Sequence, residues 1–380
     1  MATDSIRNIV VVMKENHTFD NYFGMLGRGD GFTLDADGAP TNANPDGEGR
    51  SVRAHHQSLP INPSLGVSQT WNSSHLQWNG GAMDGFVTAT GSHDPMGYLD
   101  DSDLPWYYGL ARCFGIADRY FASVLAQTFP NRRFLQAATA DGLVSTTLPS
   151  PFVHPPATGT IWDRLDTAGV SWANYFAEVP EVALWPRNVL RYHSHLHSLD
   201  RFFDDCRAGN LPAVSLVTPD VPFASEGEFE DDQIGEAFTA TLFDAVGAGP
   251  QWAGMLWVLT WDEGGGFYDH VPPPAAVPPD DVAPAIRVPP DQPGGYDRLG
   301  FRVPCIVASP FSKPGHVSSV VYDHTSVLAT IEQRWALAPL TRRDAAAAPL
   351  FDFLDLDGPP SFSRPPELPR PTIWPFTGHR

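Results

Sequence analysis

Apolar residues recur along this chain in two rhythms. The first is short runs rich in β-branched residues: "NIVVVM" at 8–13, "GVSWANY" at 169–175, "PAVSLV" at 212–217, "MLWVLTW" at 255–261 and "VPCIVASP" at 303–310. "NIVVVM" is apolar on both alternating faces, as a strand buried in a parallel sheet is. The second rhythm is helical. "TIWDRLDTAG" (160–169) offers Thr160 as N-cap and Gly169 as stop. "DQIGEAFTATLFDAVGAG" (232–249) keeps Ile234, Ala237, Phe238 and Leu242 on one face, and "DHTSVLATIEQRWAL" (323–337) does so with Val327, Leu328, Ile331 and Trp335. Alternation of this kind predicts an α/β fold, a mostly parallel central sheet flanked by helices on both faces.

Between the periodic segments the chain is irregular. Residues 25–105 are rich in Gly, Asp, Asn and His, and such long stretches often wall a binding site. The runs 271–295 and 357–380 are rich in proline and read as ordered wrapping or flexible loops. The pattern predicts a single catalytic domain over 1–345, followed by a Pro-rich tail over 346–380.

Composition narrows the function. Of 380 residues, 42% are hydrophobic and 18% charged, which describes a folded chain with a substantial core. The formal charge of −20 argues against nucleic acid, whose binding rests on neutralising phosphates with Lys and Arg. It suits a cation site without proving one. Cys113, Cys206 and Cys305 are odd in number and far apart, so reduced core thiols are expected rather than a disulfide framework. The opening "MATDSIRNIVVVMKEN" has no basic n-region or long apolar h-region and reads as a first strand. No stretch approaches transmembrane length, and no interfacial amphipathic helix is visible, so stable membrane insertion is not expected. As given, the chain reads as cytoplasmic, or as secreted or periplasmic if an export signal was removed. Its oligomeric state is not legible.

Two buried strands end in polar residues. The first runs into Glu15, Asn16 and His17; the other, in "VLTWDEGGGFYDH" (258–270), runs into Asp262 and Glu263. Ligands of open α/β sheets bind at the carboxyl ends of the strands, so both groups are expected on one rim. Carboxylates crowded there repel each other unless a cation or shared protons compensate them. Hard oxygen donors suit Ca²⁺, Mg²⁺ or Mn²⁺ better than Zn²⁺. The glycines after Glu263 are expected to turn the backbone sharply and leave space beside the acids.

A third element is "AQTFPNRRFLQAATADG" (126–142). Pro130 suits a first helical turn, with Thr128 just before it, as a simple N-cap or as a hydroxyl among converging N–H groups that suit a phosphate. Arg132 follows as a clamp for phosphoryl oxygens. His17, His75, His270 and His324 are proton-transfer candidates. His193, His195 and His197 make a weak zinc trio, more simply read as solvated or hydrogen-bonded histidines.

Five segments in order, "ENHTFDNYFG", "MGYLDDSDLPWYYGLARCFGIADRYFASV", "QTFPNRR", "TWDEGGGFYDHVPPP" and "FRVPCIVASPFSKPGHVSSVVYDHTSVLATIE", resemble the phosphoesterase family that holds bacterial and plant non-specific phospholipases C and acid phosphatases. The resemblance runs from about Ile6 to Trp335. It implies an alkaline phosphatase/sulfatase-like core with long irregular loops around the site. It implies a divalent ion (Ca²⁺, Mg²⁺, Mn²⁺ or Zn²⁺) on Glu15, Asn16, Thr128, Asp262 and Glu263, and in-line attack by Thr128 to give a phosphothreonine. Arg132 would hold the phosphoryl group, with His75, His270 and His324 as nearby acids or bases. The substrate implied is a phosphoester small molecule or a phospholipid headgroup. This chain departs from the family at Glu226-Gly227-Glu228-Phe229, where many members carry Glu-His-Pro-Pro. It also has Gln69 where a histidine is common and Gly264 where His or Asp is. Thr128-x-Pro130-x-Arg132 is similar to the nucleophile segment of sulfatases, but threonine cannot become their formylglycine. A sulfatase or phosphonate hydrolase on the same scaffold is therefore one alternative, and a non-catalytic, metal-stabilised binding protein another.

Overall fold

Five apolar residues in a row between Asn8 and Lys14 form the body of β1 (Asn8–Lys14), and all seven residues are buried. Such a run can sit only inside a sheet covered on both faces. In the computed structural model, which describes residues 2–63, 66–219 and 223–375, it lies near the middle of an eight-stranded sheet. The strands are β1, β2 (Ala43–Pro45), β3 (Ser51–Arg53), β4 (His55–His56), β5 (Gly97–Tyr98), β6 (Gly115–Ala117), β7 (Trp172–Phe176), β8 (Leu196–Ser198), β9 (Val214–Thr218), β10 (Met255–Trp261), β11 (Cys305–Ala308) and β12 (Val317–Ser318). The large sheet has the order β12-β6-β11-β10-β1-β9-β7-β8, while β2 pairs with β3 and β4 with β5. In the large sheet β11 runs antiparallel to both neighbours, and the other pairings are parallel. The expected α/β architecture is therefore present, with one reversed strand.

Helices pack on the sheet in two groups. Thr128–Ala137 contacts Ile161–Ala168 and His324–Trp335, and their Leu135, Ile161, Val327 and Ile331 meet Val11 and Leu216 of the sheet. Asp232–Ala248 contacts Leu199–Ala208 and Pro105–Cys113, and its Phe243 meets Trp257 edge to face. Because Val11 pairs with Val258, Trp257 points to the opposite side, so the two groups cover opposite faces. The sequence signals at 160–169 act as expected. Thr160 and Asp163 form a reciprocal capping box, and Gly169 ends the helix at φ 67°.

The segment 25–105 is less irregular than its composition suggests, holding the helices Trp71–Trp78 and Phe86–Thr90 and strands β2 to β5. From 346 onward the chain packs on the main core. Leu350 and Phe353 are buried in it, Phe362 stacks on Phe114, and its carbonyl accepts from Trp252 Nε1 at 2.9 Å. The last five residues of the Pro-rich tail, 376–380, lie outside the described residues. Cys206 and Cys305 are buried, Cys113 partly so, and all three are free thiols. Among the described residues no helix is long and apolar enough to cross a membrane.

Candidate active site

The register of β1 on β10 sets the site. Lys14 lies opposite Trp261, so both chains leave the sheet together and Asp262 N donates to Lys14 O at 3.1 Å. Glu15–Asn16 and Asp262–Glu263 therefore share one rim, as expected. Asp262 Oδ1 accepts from Glu263 N at 2.8 Å and from Asn16 N at 3.3 Å. Asn16 adopts a left-handed conformation at φ 68°. Gly265 explains part of the glycine run: at φ 64°, a Cβ there would fall 2.1 Å from Asn16 O. A Cβ on Gly266 would fall 2.4 Å from Ser68 N. These glycines thus admit neighbouring backbone; the open space expected beside the acids is filled by it.

Thr128 is the first residue of its helix, and Gln127 is the N-cap. The simple-cap reading of Thr128 fails, because no side chain caps this helix. Its hydroxyl has no hydrogen-bond partner among the described residues and lines a cavity of about 530 Å³. Pro130 removes no helical hydrogen bond, since N–H groups of the first turn have no intrahelical partner. The same lack leaves N–H groups and the positive end of the helix dipole facing the cavity.

One turn on, Arg132 is caged by carboxylates. Its Nε meets Asp262 Oδ2 at 3.0 Å, Nη1 meets Glu181 Oε2 at 2.9 Å, and Nη2 meets Glu15 Oε1 at 3.1 Å and Lys14 O at 3.1 Å. Burial alone would lower the pKa of this guanidinium, but Glu181, Asp262 and Glu15 hold it above the usual arginine value. Burial, and then the Asp262 charge, push Glu15 up to about 8 against the opposing pull of Arg132. Burial and Asp262 also raise Glu263 well above the carboxylate range. Glu181, which no sequence signal marked, is raised by burial with Arg132 opposing.

Of the four candidate histidines only His324 touches this cage, and it does so through the backbone of Asp262. His324 is buried, with Nε2 on Asp262 O at 2.7 Å and Nδ1 on the Tyr120 hydroxyl at 3.2 Å. Burial lowers its pKa, so a neutral ring donating from Nε2 braces the Asp262 backbone. His270 pairs through Nδ1 with Asp20 at 2.6 Å and through Nε2 with Asp30 at 3.2 Å. His75 Nδ1 bonds to Trp71 O at 2.7 Å, within its own helix. Among the described residues, no histidine lines the cavity of Thr128. His17 is buried against Asp232 at 3.2 Å. The zinc trio does not converge: His195 stacks on Trp172, and His193 bonds to Leu190 O. Two departures meet in space, for Gln69 Nε2 donates to Glu228 Oε1 at 3.1 Å.

The residues of the rim fit a hard divalent ion by donor chemistry. Asn16 Oδ1 and Glu263 Oε1 are buried without a partner, beside the carboxylates of Glu15 and Asp262. Their oxygens do not, however, draw as close as those of Asp20–Asp269–His270 or His56–Asp100–Asp103, each of which gathers its ligand atoms within 4.8 Å. Arg132 is the cation that the rim acids hold in this arrangement.

The cavity floor is polar, with Glu15, Thr128, Arg132 and Glu181, and its wall is apolar, with Phe129, Leu148, Val179, Leu184 and Val189. The profile of the phosphoesterase family covers residues 6–338, and the chain belongs to that family. It is a hydrolase of phosphoester bonds. Non-specific phospholipase C4 of Arabidopsis thaliana is 32% identical over 395 residues, covering 93% of this chain and 72% of the relative. Phospholipase C A of Mycobacterium tuberculosis is 32% identical over 415 residues, covering 95% and 79%. Among solved structures, the phosphonate monoester hydrolase of Agrobacterium radiobacter aligns with a TM-score of 0.41 at 11% identity, over 94% of this chain and 79% of that one. A sulfatase from Pseudoalteromonas sp. aligns at 0.43 and 10%, over 88% and 69%.

Proposed function

We propose that the chain is a metal-dependent phosphodiesterase of phospholipase C type that works through a phosphothreonine at Thr128. The observation that carries this reading is the cavity itself: an unbonded hydroxyl at a helix N-terminus beside Arg132 and Glu15, under an apolar wall. A phosphomonoester of a small alcohol would leave that wall without a partner. A diester with an apolar alcohol would bury it, at about 25 cal/mol for each Å² removed from water.

Glu15, Asn16, Asp262 and Glu263 would hold the ion, with Thr128 beside them. A divalent ion held there would supply Lewis-acid chemistry, favouring loss of a nearby hydroxyl proton and offsetting charge on phosphoryl oxygens. The Thr128 oxygen attacks phosphorus in line, forming the Oγ–P bond as the bond to the apolar alcohol breaks. Arg132 and the helix N-terminus orient the phosphoryl oxygens, and water later cleaves the phosphothreonine. Since the cavity lining holds no histidine among the described residues, protonation of the leaving alcohol falls to the floor acids or to water.

Purified protein is assayed on p-nitrophenyl phosphate and p-nitrophenylphosphorylcholine, after EDTA and after adding back Ca²⁺, Mg²⁺, Mn²⁺ or Zn²⁺. Metal-restored turnover of the choline diester is expected. Turnover of the monoester alone would make the protein a phosphatase, and full activity after EDTA would end the metal-dependent part of the reading.

A further inference from the structure

Glu181 stands out because it binds Arg132 from a side of the site that the strand rim does not supply. Glu15 and Asp262 come from the ends of β1 and β10. Glu181 opens a short turn, Glu181–Leu184, after β7. That turn is fastened at several points. Gln136, on the same helix as Thr128 and Arg132, donates to Glu181 O at 3.0 Å, and Trp162 Nε1 fixes the Gln136 amide by donating to its Oε1 at 2.9 Å. Asn174 of β7 accepts from Val182 N at 3.4 Å, while its own amide donates to Leu216 O and Thr218 Oγ1 on β9. Gln136 and Asn174 are both fully buried. Polar side chains of this kind stay buried only when their groups are paired, so the turn is held in one place relative to the helix and the sheet.

The carboxylate so held has one oxygen on Arg132 Nη1, which bonds to Glu181 alone among the described residues. The other, Oε1, is buried with no partner and belongs to a residue lining the cavity. A purely architectural ion pair normally satisfies both oxygens, because an unpaired buried acceptor costs about 1–3 kcal/mol.

Resting on the phosphodiesterase reading above, we infer that Glu181 is a positioning residue for Arg132, keeping the guanidinium at the cavity floor when an ion draws on Glu15 and Asp262 and phosphoryl oxygens draw on the guanidinium. Arginine presents its donors in a planar fork, and tethering one arm fixes the plane in which the remaining arms meet a phosphate. Without the tether, Arg132 would follow the strand-rim acids instead of the substrate. Glu181 does not touch the reacting atoms in this account; it acts through Arg132.

The test uses the full chain with p-nitrophenylphosphorylcholine for turnover and inorganic phosphate for calorimetric binding. Glu181→Ala is expected to lower kcat on the order of 100-fold, the scale of a misplaced orienting group, with KM changed by less than about threefold. Glu181→Gln keeps an acceptor for Nη1 and is expected to recover about tenfold of that loss. In a double-mutant cycle, adding Glu181→Ala to Arg132→Gln should cost less than about threefold more, because the tether has nothing left to hold. Multiplying effects of the two substitutions would overturn the inference, as would a rise in KM with kcat intact, which would make Glu181 a wall residue. If Glu181→Ala fails to fold, the near-isosteric Glu181→Gln, with its melting temperature checked, carries the same comparison. If the wild type turns over neither substrate, the phosphodiesterase reading falls, and phosphate binding still decides: about tenfold weaker binding in Glu181→Gln supports the tether, and unchanged binding refutes it.

Discussion

Two buried arginines in this protein look alike by composition and differ in what surrounds them. Arg302 pairs with Asp269 at 2.8 Å and Asp20 at 3.0 Å, donates to the carbonyls of Asp30 and Asp118, and lies over the Phe19 ring. The oxygens of its two carboxylates are all engaged: Asp20 Oδ2 accepts from His270, and Asp269 accepts from Val271 N and Asp20 N. Arg132 also pairs with buried carboxylates, yet Asn16, Glu181 and Glu263 around it each leave an oxygen unbonded. Arg132 borders a cavity that holds a free hydroxyl. A closed network is architecture; a network with spare acceptors beside a cavity is equipped to receive a ligand. Burial and charge alone do not separate the two cases.

Substitutions should separate them sharply. Thr128→Ala removes the proposed nucleophile from the open network, and turnover should fall on the order of 10⁴-fold, as losses of covalent nucleophiles do, with the melting temperature nearly unchanged. A loss below tenfold in a diester assay would end the phosphothreonine mechanism. Arg302→Met acts on the closed network. It leaves Asp269 buried without its ion-pair partner and Asp20 with His270 alone, so denaturant unfolding should show a loss of roughly 3–5 kcal/mol, with kcat per folded molecule retained. Loss of kcat in folded Arg302→Met would erase the distinction drawn here.

The closed network should also leave a mark in pH. Burial tends to lower the His270 pKa, but the Asp20 hydrogen bond and charge, helped by Asp269, outweigh it and hold the ring at about 9. Asp30 faces its other nitrogen, and the charge of Arg302 opposes protonation. Because the folded pKa lies above the unfolded one, this contribution is complete below pH 6.5 and is lost as pH rises through about 9. It amounts to no more than about 3 kcal/mol at 1.36 kcal/mol per unit. Unfolding free energies of wild type and His270→Gln, measured from pH 6 to 10, should converge toward the alkaline end; a constant gap would contradict the charged ring.

The same contrast shows what was legible in the sequence. The long strands β1 and β10 were, since seven apolar or buried positions in a row admit few other placements, and their polar exits marked the rim at Glu15 and Asp262. Strands β6, β8 and β12 were not, because two or three residues carry no period. The Thr128 helix was signalled by Pro130, two residues after its observed start. Glu181 carried no signal: it sits in an aperiodic turn, 49 residues from the arginine it binds. His270 was expected near the site as a proton-transfer candidate. Its partner Asp20 is 250 residues away, and only the folded chain shows that the ring turns toward it.

His75 gives the smallest and most diagnostic prediction. Its helix, Trp71–Trp78, fastens the Pro-rich segment 271–295: Trp71 Nε1 donates to Gln292 O at 2.9 Å, and Asn72 Oδ1 accepts from Gln292 N at 2.8 Å. The ring stacks near Trp71, and a Cβ on Gly294 would fall 2.2 Å from its Nε2. Burial lowers its pKa, so it serves as a neutral ring under the segment. Glutamine at this position can still donate to Trp71 O, so His75→Gln should lose the ring contact, about 0.5–1.5 kcal/mol in stability. Turnover of the diester should change by less than about threefold, since His75 does not line the Thr128 cavity. A loss above tenfold at unchanged melting temperature would mean that the Pro-rich segment governs access to the site and that the open network extends to it.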